Sequence, residues 1–395
     1  MPSDVTTTIA APNGPRGQSI AGAVTWARLR ELAEFRTEKG CAISIYLNLD
    51  PSDVPTPADA HARMKALLAQ AEKVDHADLS RDVREGLKSD FAGIGRWYEH
   101  DFDREGARGL ALFAAGLDNL WVPLVLPESV PDDVRVGRDL YLAPLVPLVG
   151  RSDGTIVAVV GREQGRLFRL RAGRLDEIAE QFDEQPGQHD QGGWSQSNYR
   201  RHLEKLVHEH LKGVAQELDR SRRRIQSPKI VFVCSEELRG ELTETLSKEA
   251  RDAVVGWTQA EAHASAGELL EAVTPVLEQA QAKDEAEALE RWREEAGRNG
   301  RAASGWGGTL EAASDGRVEV LLFEEGADHE AHRCPACGRA ALGGGSCPLD
   351  GTQLERIEAG LDLAVHQTLA HGGAVWSIRH HDLGQAEGIG ALLRY

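Results

Sequence analysis

Long hydrophobic runs are missing from this chain. Its most apolar stretches, Leu120 to Leu126 and Leu140 to Val149, each contain proline. Both stop well short of the ~18 residues that a membrane span needs. Cysteine is scarce: five in 395 residues are too few for a disulfide scaffold. Basic residues are outnumbered by acids, 45 to 63, and the formal net charge is −18. That balance argues against a surface coated in positive charge for nucleic acid and against a polybasic membrane anchor. The N-terminus, MPSDVTTTIAAPNGPRGQSI, has no apolar stretch behind a basic start, so no secretory signal is read from it. These absences predict a soluble, cytoplasmic protein with no membrane partner.

What is present is an ordinary globular balance, with 27% charged and 41% apolar residues. The length fits two or three domains at roughly 150 residues each. Residues 1–20 lack periodicity and read as a disordered tail. A helix is expected over 25–37, a strand over 41–50, one helical stretch over 57–100, and a strand pair at LALFAA and LWVPLVL. This N-terminal α/β domain covers 21–140. A central domain, 141–285, starts at YLAPLVPLV. It continues with the hairpin pattern TIVAVVG/RLFRLRAG, a long helix over 197–224, the buried strand KIVFVCS, a helix behind Ser235 and the short strand AVVGW. A long acidic helix over 259–296, with a kink expected at Pro275, leads into a C-terminal α/β domain, 286–395. Strands alternating with helices predict an α/β protein with mixed sheets covered by helices.

Three of the five cysteines fall close together, in HRCPACGRAALGGGSCPLDG. The spacing is C-x2-C-x9-C-x2-D. Two tight turns that present paired ligands are what tetrahedral zinc requires, so Cys334, Cys337, Cys347 and Asp350 are read as a structural zinc ribbon within 329–352. A carboxylate is a harder ligand than a thiolate, and His329 or His332 could take the fourth place. Redox cysteines and a ribbon that no longer binds metal are the competing readings. Cys41 and Cys234 lie in strand patterns and read as core thiols.

The segment QPGQHDQGGWSQSNYRR (185–201) is polar, glycine-bearing and free of apolar anchors. Behind it, Arg201, Lys205, His208 and Lys212 recur at helical spacing on one stripe. From Ser197 to Lys229 there are nine Lys and Arg against four Asp and Glu, and from Arg151 to Arg174 six Arg against two acids. From Gln259 to Arg298 the balance reverses, with ten acids against four bases. A basic centre on an acidic chain is the footprint of a site that meets a phosphate backbone. A solvated helix behind a flexible linker is the plainer reading of the same residues.

The loop HDQGGWSQ followed by SNYRRHLEKLVHEHLKGVAQEL resembles the central domain of archaeo-eukaryotic class-1 peptide-chain release factors, where a Gly-Gly-Gln loop precedes a long basic helix. The terminus EGIGALLRY resembles the end of their third domain. VEVLLFEE, the cysteine cluster and LDLAVHQTLAHGGAVWSI fit that domain with a zinc-ribbon insertion. The resemblance spans about 141–395 and points to bacterial relatives of these factors, a group that includes Vms1/Ankzf1-like peptidyl-tRNA hydrolases.

It implies a three-domain release-factor-like architecture. It also implies a ribosomal partner (rRNA and peptidyl-tRNA), delivery by an elongation-type GTPase, and hydrolysis of the ester between a nascent peptide and tRNA on stalled ribosomes. Gly192, Gly193 and Gln196 would then be catalytic. Trp194 would stack on a base or fold back to pin the loop, and Arg200, Arg201, Lys205 and Lys212 would hold RNA phosphates. Two departures matter. Trp194 and Ser195 separate the glycines from Gln196, and no Asn-Ile-Lys-Ser segment appears in residues 1–140, so stop-codon decoding is not expected. A non-catalytic ribosome-hibernation factor occupying the tRNA site is the alternative, and an interaction module built on the ribbon is a third.

Overall fold

In the computed structural model, residues 24–395 are described apart from 74–78, 105, 150–153, 172, 183–195, 226–227, 262 and 299; for 180–182, 196–200 and 203 only the backbone is described. The tail expected at 1–20 lies outside the described residues. The chain divides into two compact units, one formed by Met1–Val149 with Glu285–Tyr395 and the other by Gly150–Asp284.

The first unit begins with α1 (Trp26–Glu34), β1 (Ala42–Asn48), α2 (Pro57–Lys73), α3 (Arg81–His100), β2 (Gly109–Ala115), β3 (Leu120–Leu126) and β4 (Asp133–Gly137). Helix α1 is shorter than expected because Phe35 is already extended and Arg36 bridges to Asp139. The single helical stretch expected at 57–100 is two helices. Ser80 starts the second by accepting from the Val83 N–H, as an N-cap does. The four strands pair antiparallel in the order β3-β2-β1-β4. Strand alternation then sorts the side chains. Ile43, Ile45 and Leu47 face Met64, Phe91 and Ile94 of α2 and α3, while Tyr46 turns to the other face with Phe113.

That second face does not meet solvent. The same unit contains β10 (Ala302–Ser304), α8 (Gly305–Ser314), β11 (Val318–Glu324), β12 (Ala331–Arg333), β13 (Ala340–Ala341), β14 (Glu355–Ile357), α9 (Gly360–Ala370), β15 (Ala374–Ile378) and β16 (Ile389–Leu393). Strands β10-β16-β11-β15 form a second four-stranded sheet, parallel only between β11 and β15. Tyr46, Phe113 and Leu124 share one hydrophobic core with Leu310, Leu321, Phe323 and Val365. The apolar run at 140–149 joins that core: two prolines keep it out of a sheet, and Ala143–Leu148 forms a 3-10 turn with Leu145 and Val146 buried. Asp362 on α9 accepts from the Leu142 and Ala143 N–H groups at 2.6 and 3.0 Å.

The second unit holds β5 (Thr155–Val160), β6 (Gln164–Arg171), β7 (Arg174–Phe182), α4 (Gln196–Arg222), β8 (Lys229–Val233), α5 (Glu236–Thr245), α6 (Lys248–Asp252), β9 (Val254–Thr258) and the start of α7 (Ala266–Gly297), with Pro275 inside that helix. The sheet order is β7-β6-β5-β8-β9. Strands β5, β8 and β9 are parallel, and β6 and β7 are antiparallel additions. This is the mixed sheet expected, covered by helices on both faces: Leu211, Val214 and Leu218 of α4 pack on Ile156, Ala158 and Leu167, and Leu269 and Val273 of α7 pack on Val157 and Phe168.

Phe113 has no exposed surface and stands edge-on to Tyr46 at 6.1 Å between ring centroids. Phe113→Ala is expected to lower unfolding stability by about 3–5 kcal/mol, measured by urea denaturation. A loss under about 1 kcal/mol would mean that the face between β2 and α8 is not packed as described.

Candidate functional site

Helix α4 is anchored by one part of its length. Buried side chains begin at His210 and continue through Leu211, Val214, Ala215 and Leu218. From Arg201 to Glu209 no described side chain is buried. The anchor is a close approach of backbones: a Cβ on Gly165 of β6 would lie 2.5 Å from Val214 Cγ2, so glycine lets the helix lie directly on the strand. Upstream, the fourteen residues from Gln196 to Glu209 extend about 21 Å at 1.5 Å per residue.

Arg201, Lys205, His208 and Lys212 are all exposed, on the side away from the sheet. Lys205 meets Glu209 at 3.7 Å, a solvent-exposed pair that contributes little. Arg201 and Lys212 have no carboxylate partner among the described residues. The stripe therefore remains positive and open to an anion. Gln196 is the first residue of α4, and Arg200 lies one turn on in its backbone. Gly192, Gly193 and Trp194 lie outside the described residues. No described helix is long and apolar enough to cross a membrane.

The cysteine cluster is built from two equivalent turns. In the first, the Gly338 N–H donates to the Cys334 carbonyl at 2.9 Å and the Cys334 N–H donates to the Arg339 carbonyl at 2.9 Å. In the second, Gly351 donates to Cys347 at 2.9 Å and Cys347 to Thr352 at 2.7 Å. Gly338 and Gly351 share a left-handed backbone, with φ of 79° and 76°, which a side chain resists. Asp350 thus holds in the second turn the place that Cys337 holds in the first. The strands β12, β13 and β14 form the small sheet beneath, in the order β13-β12-β14.

The turns bring one donor atom from each of Cys334, Cys337, Cys347 and Asp350 within 4.8 Å of one another. Cys337 and Cys347 sulfurs are 3.6 Å apart, and Cys334 Sγ lies 3.4 Å from one Asp350 oxygen. Tetrahedral coordination with a metal–sulfur bond of about 2.3 Å gives sulfur–sulfur edges of about 3.8 Å and slightly shorter sulfur–oxygen edges. The residues fit a metal site. Neither histidine joins them: His332 Nδ1 is set 3.2 Å from the Leu342 carbonyl, and the His329 ring lies 5.6 Å from Trp306.

Electrostatics point the same way. The Asp350 carboxyl is held far below the usual range, first by the Thr352 backbone N–H and then by its hydroxyl. At Cys337 the Arg339 backbone contact favours the thiolate. Desolvation and the neighbouring Cys334, Cys347 and Asp350 outweigh it and push the thiol up to about 12. Burial raises the Cys347 thiol, but the Leu349 and Asp350 backbone N–H groups and the Cys337 and Cys334 thiols outweigh it and lower it; the negative charge held at Cys347 and Asp350 suits a cation.

Residues 141–278 match the model of bacterial archaeo-eukaryotic release factor family 10. The chain is 23% identical over 336 residues to peptide chain release factor subunit 1 of Archaeoglobus fulgidus, covering 79% of this chain and 78% of that protein. Among solved structures, an archaeal translation termination factor, aRF1, is 17% identical over 94% of this chain and 97% of its own, with a TM-score of 0.25. Archaeoglobus fulgidus Pelota is 15% identical over 73% and 79%, with a TM-score of 0.34.

Gly351→Val places a β-branched side chain at positive φ, a cost of about 1–2 kcal/mol, and is expected to weaken metal retention about tenfold in a chelator competition. Gly343→Ser, where a Cβ meets nothing within 4 Å, is expected to leave retention unchanged. Equal retention in both variants would show that the turns do not set the site. Its central segment, 141–278, thus matches the bacterial archaeo-eukaryotic release factor model, and 79% of the chain is similar in sequence to an archaeal peptide chain release factor.

Proposed function

We propose that this protein is a ribosome-associated factor that hydrolyses the peptidyl-tRNA ester on stalled ribosomes without reading a stop codon. The observation that carries the proposal is helix α4. It leads from a Gly-Gly loop, holds Gln196 at its first position, and presents Arg201, Lys205 and Lys212 unburied over its first turns. Relatives named for peptide-chain release, and the family model matched at 141–278, support it. The absence of an Asn-Ile-Lys-Ser segment in residues 1–140 is why decoding is left out. The three-part division at 21–140, 141–285 and 286–395 belongs to this proposal; each part contains its own sheet.

The chemistry asks little of side-chain acidity. Ester hydrolysis needs a water held against the carbonyl and donors aimed at the developing oxyanion. Gly192 and Gly193 let the backbone enter a narrow, RNA-walled site and offer N–H groups there. The Gln196 amide orients the water by neutral hydrogen bonds. Arg200, Arg201, Lys205 and Lys212 hold phosphates and so fix the register of the loop. Trp194 stacks on a base.

A second reading is favoured by one feature: Trp194 and Ser195 sit between the glycines and Gln196. A loop lengthened in this way suits a factor that occupies the tRNA site of dormant ribosomes and releases nothing. We further propose that the ion of the Cys334, Cys337, Cys347 and Asp350 site is zinc in a structural role. The three sulfur donors and the closed, four-donor geometry support this.

In a single-turnover assay with peptidyl-tRNA on ribosomes, wild type is expected to release peptide and Gln196→Ala to slow release at least 100-fold. Equal rates would remove Gln196 from the mechanism. Binding without release by wild type would favour the dormancy reading. Elemental analysis of protein purified without chelator is expected to find about one zinc per chain, falling below about 0.2 in Cys334→Ser; no metal in wild type would refute the zinc assignment.

A further inference from the structure

A second cluster of unpaired positive charge lies at the far end of the central sheet from the Gln196 end of α4. Strand register places it. In the β6–β7 hairpin, Arg171 stands directly opposite Arg174. Both are exposed, and neither has a carboxylate partner among the described residues. Like charges directly across a hairpin repel. A neighbouring hairpin arginine shows the alternative: Arg166 pairs with Glu177 at 3.0 Å. Arg169 is opposite Ile156, so Arg169 and Arg171, two residues on, share the face covered by α4. Arg169 Nε is shielded from solvent with no hydrogen-bond partner.

The end of α4 arrives at this same edge. Val214 packs on Gly165 near the start of β6, and the chain then runs to Lys229, which is in register with Thr155 at the start of β5. The edge therefore carries, strand by strand, Arg174, Arg171, Thr155 and Lys229. Residues 220–229 hold five basic residues, Lys229 among them, and no acid. Arg220 and Arg222 pair with Glu217 and Asp219 three residues back, and cations in the last helical turn also suit the helix dipole. Arg223 and Arg224 differ. They lie past the last residue of α4, are exposed, and have no carboxylate partner among the described residues. Lys229 is already paired with Asp284 at 2.9 Å.

We propose that Arg171, Arg174, Arg223 and Arg224 form a second RNA-phosphate contact of the central unit. Along α4, Arg223 lies about 16 Å beyond Lys212 and about 33 Å beyond Arg201 at 1.5 Å per residue. A phosphate seated between Arg171 and Arg174 relieves their repulsion, and the fork of each guanidinium suits phosphate oxygens better than a point charge does. The two contacts grip RNA at both ends of one rigid helix and set the direction in which α4 points the loop. This rests on the proposed ribosomal role.

The test uses dye-labelled full-length protein and purified ribosomes, with affinity followed by anisotropy over a salt series. Three proteins are compared: wild type, a stripe variant (Arg201→Gln, Lys205→Gln, Lys212→Gln) and an edge variant (Arg171→Gln, Arg174→Gln, Arg223→Gln, Arg224→Gln). The edge variant is expected to bind at least tenfold more weakly and to flatten the log–log salt slope by about 3. Its melting temperature should be unchanged or higher, because a repulsion has been removed. Wild-type binding with an unaltered edge variant would overturn this contact and leave the ribosomal role standing. No wild-type binding at any salt would overturn both. An edge variant that binds ribosomes normally but loses binding to phosphatidylglycerol vesicles would assign the edge to a lipid surface and overturn the RNA contact.

Discussion

The close seating of α4 on β6 is the constraint on which the central unit depends. Gly165 leaves no Cβ between strand and helix, and Val214 fills that space. Leu211, Ala215 and Leu218 extend the seam. With the C-terminal part of the helix fixed, the described residues from Arg201 to Glu209 need no burial of their own. A helix held in this way works as a lever. Its direction is set by the sheet, and its free turns keep their basic side chains available to a partner. Weakening the seam would loosen the Arg201–Lys212 stripe together with Arg223 and Arg224, because α4 carries the first and leads into the second.

Charge is partitioned to suit that lever. The whole chain carries a formal charge of −18, yet the region from Ser197 to Lys229 has nine basic residues and four acids. From Gln259 to Arg298 the balance reverses, with ten acids against four bases, so the charge is segregated along the sequence. The Cys334, Cys337, Cys347 and Asp350 cluster lies in the other unit. Its two turns join small strands that bury few side chains of their own, notably Cys334, Cys347 and Leu354, and the proposed ion would stabilise so small a core.

Much of this was legible in the sequence. The helix expected at 197–224 is Gln196–Arg222, because Leu206, Leu211, Val214 and Leu218 keep the helical period over many turns. The spacing of Cys334, Cys337, Cys347 and Asp350 marked a metal site, and the structure brings those four donors together. What was hidden depended on register and on long-range packing. The opposition of Arg171 and Arg174 follows from the pairing of β6 with β7, which no local pattern specifies. The break between α2 and α3 rests on a single cap at Ser80. The core shared by Phe113 and Phe323 joins residues more than 200 positions apart, and composition carries no trace of such a contact. The reading of Gly192, Gly193 and Trp194 rests on family resemblance alone, and these residues lie outside the described ones.

Co-sedimentation of the purified chain with ribosomes through a sucrose cushion, repeated from low to high salt, tests the central claim most directly. The account predicts binding at low salt that weakens steeply as salt rises, as counterion release at several phosphates requires. Protein that stays in the supernatant at every salt concentration, or that pellets equally at all of them, would contradict it.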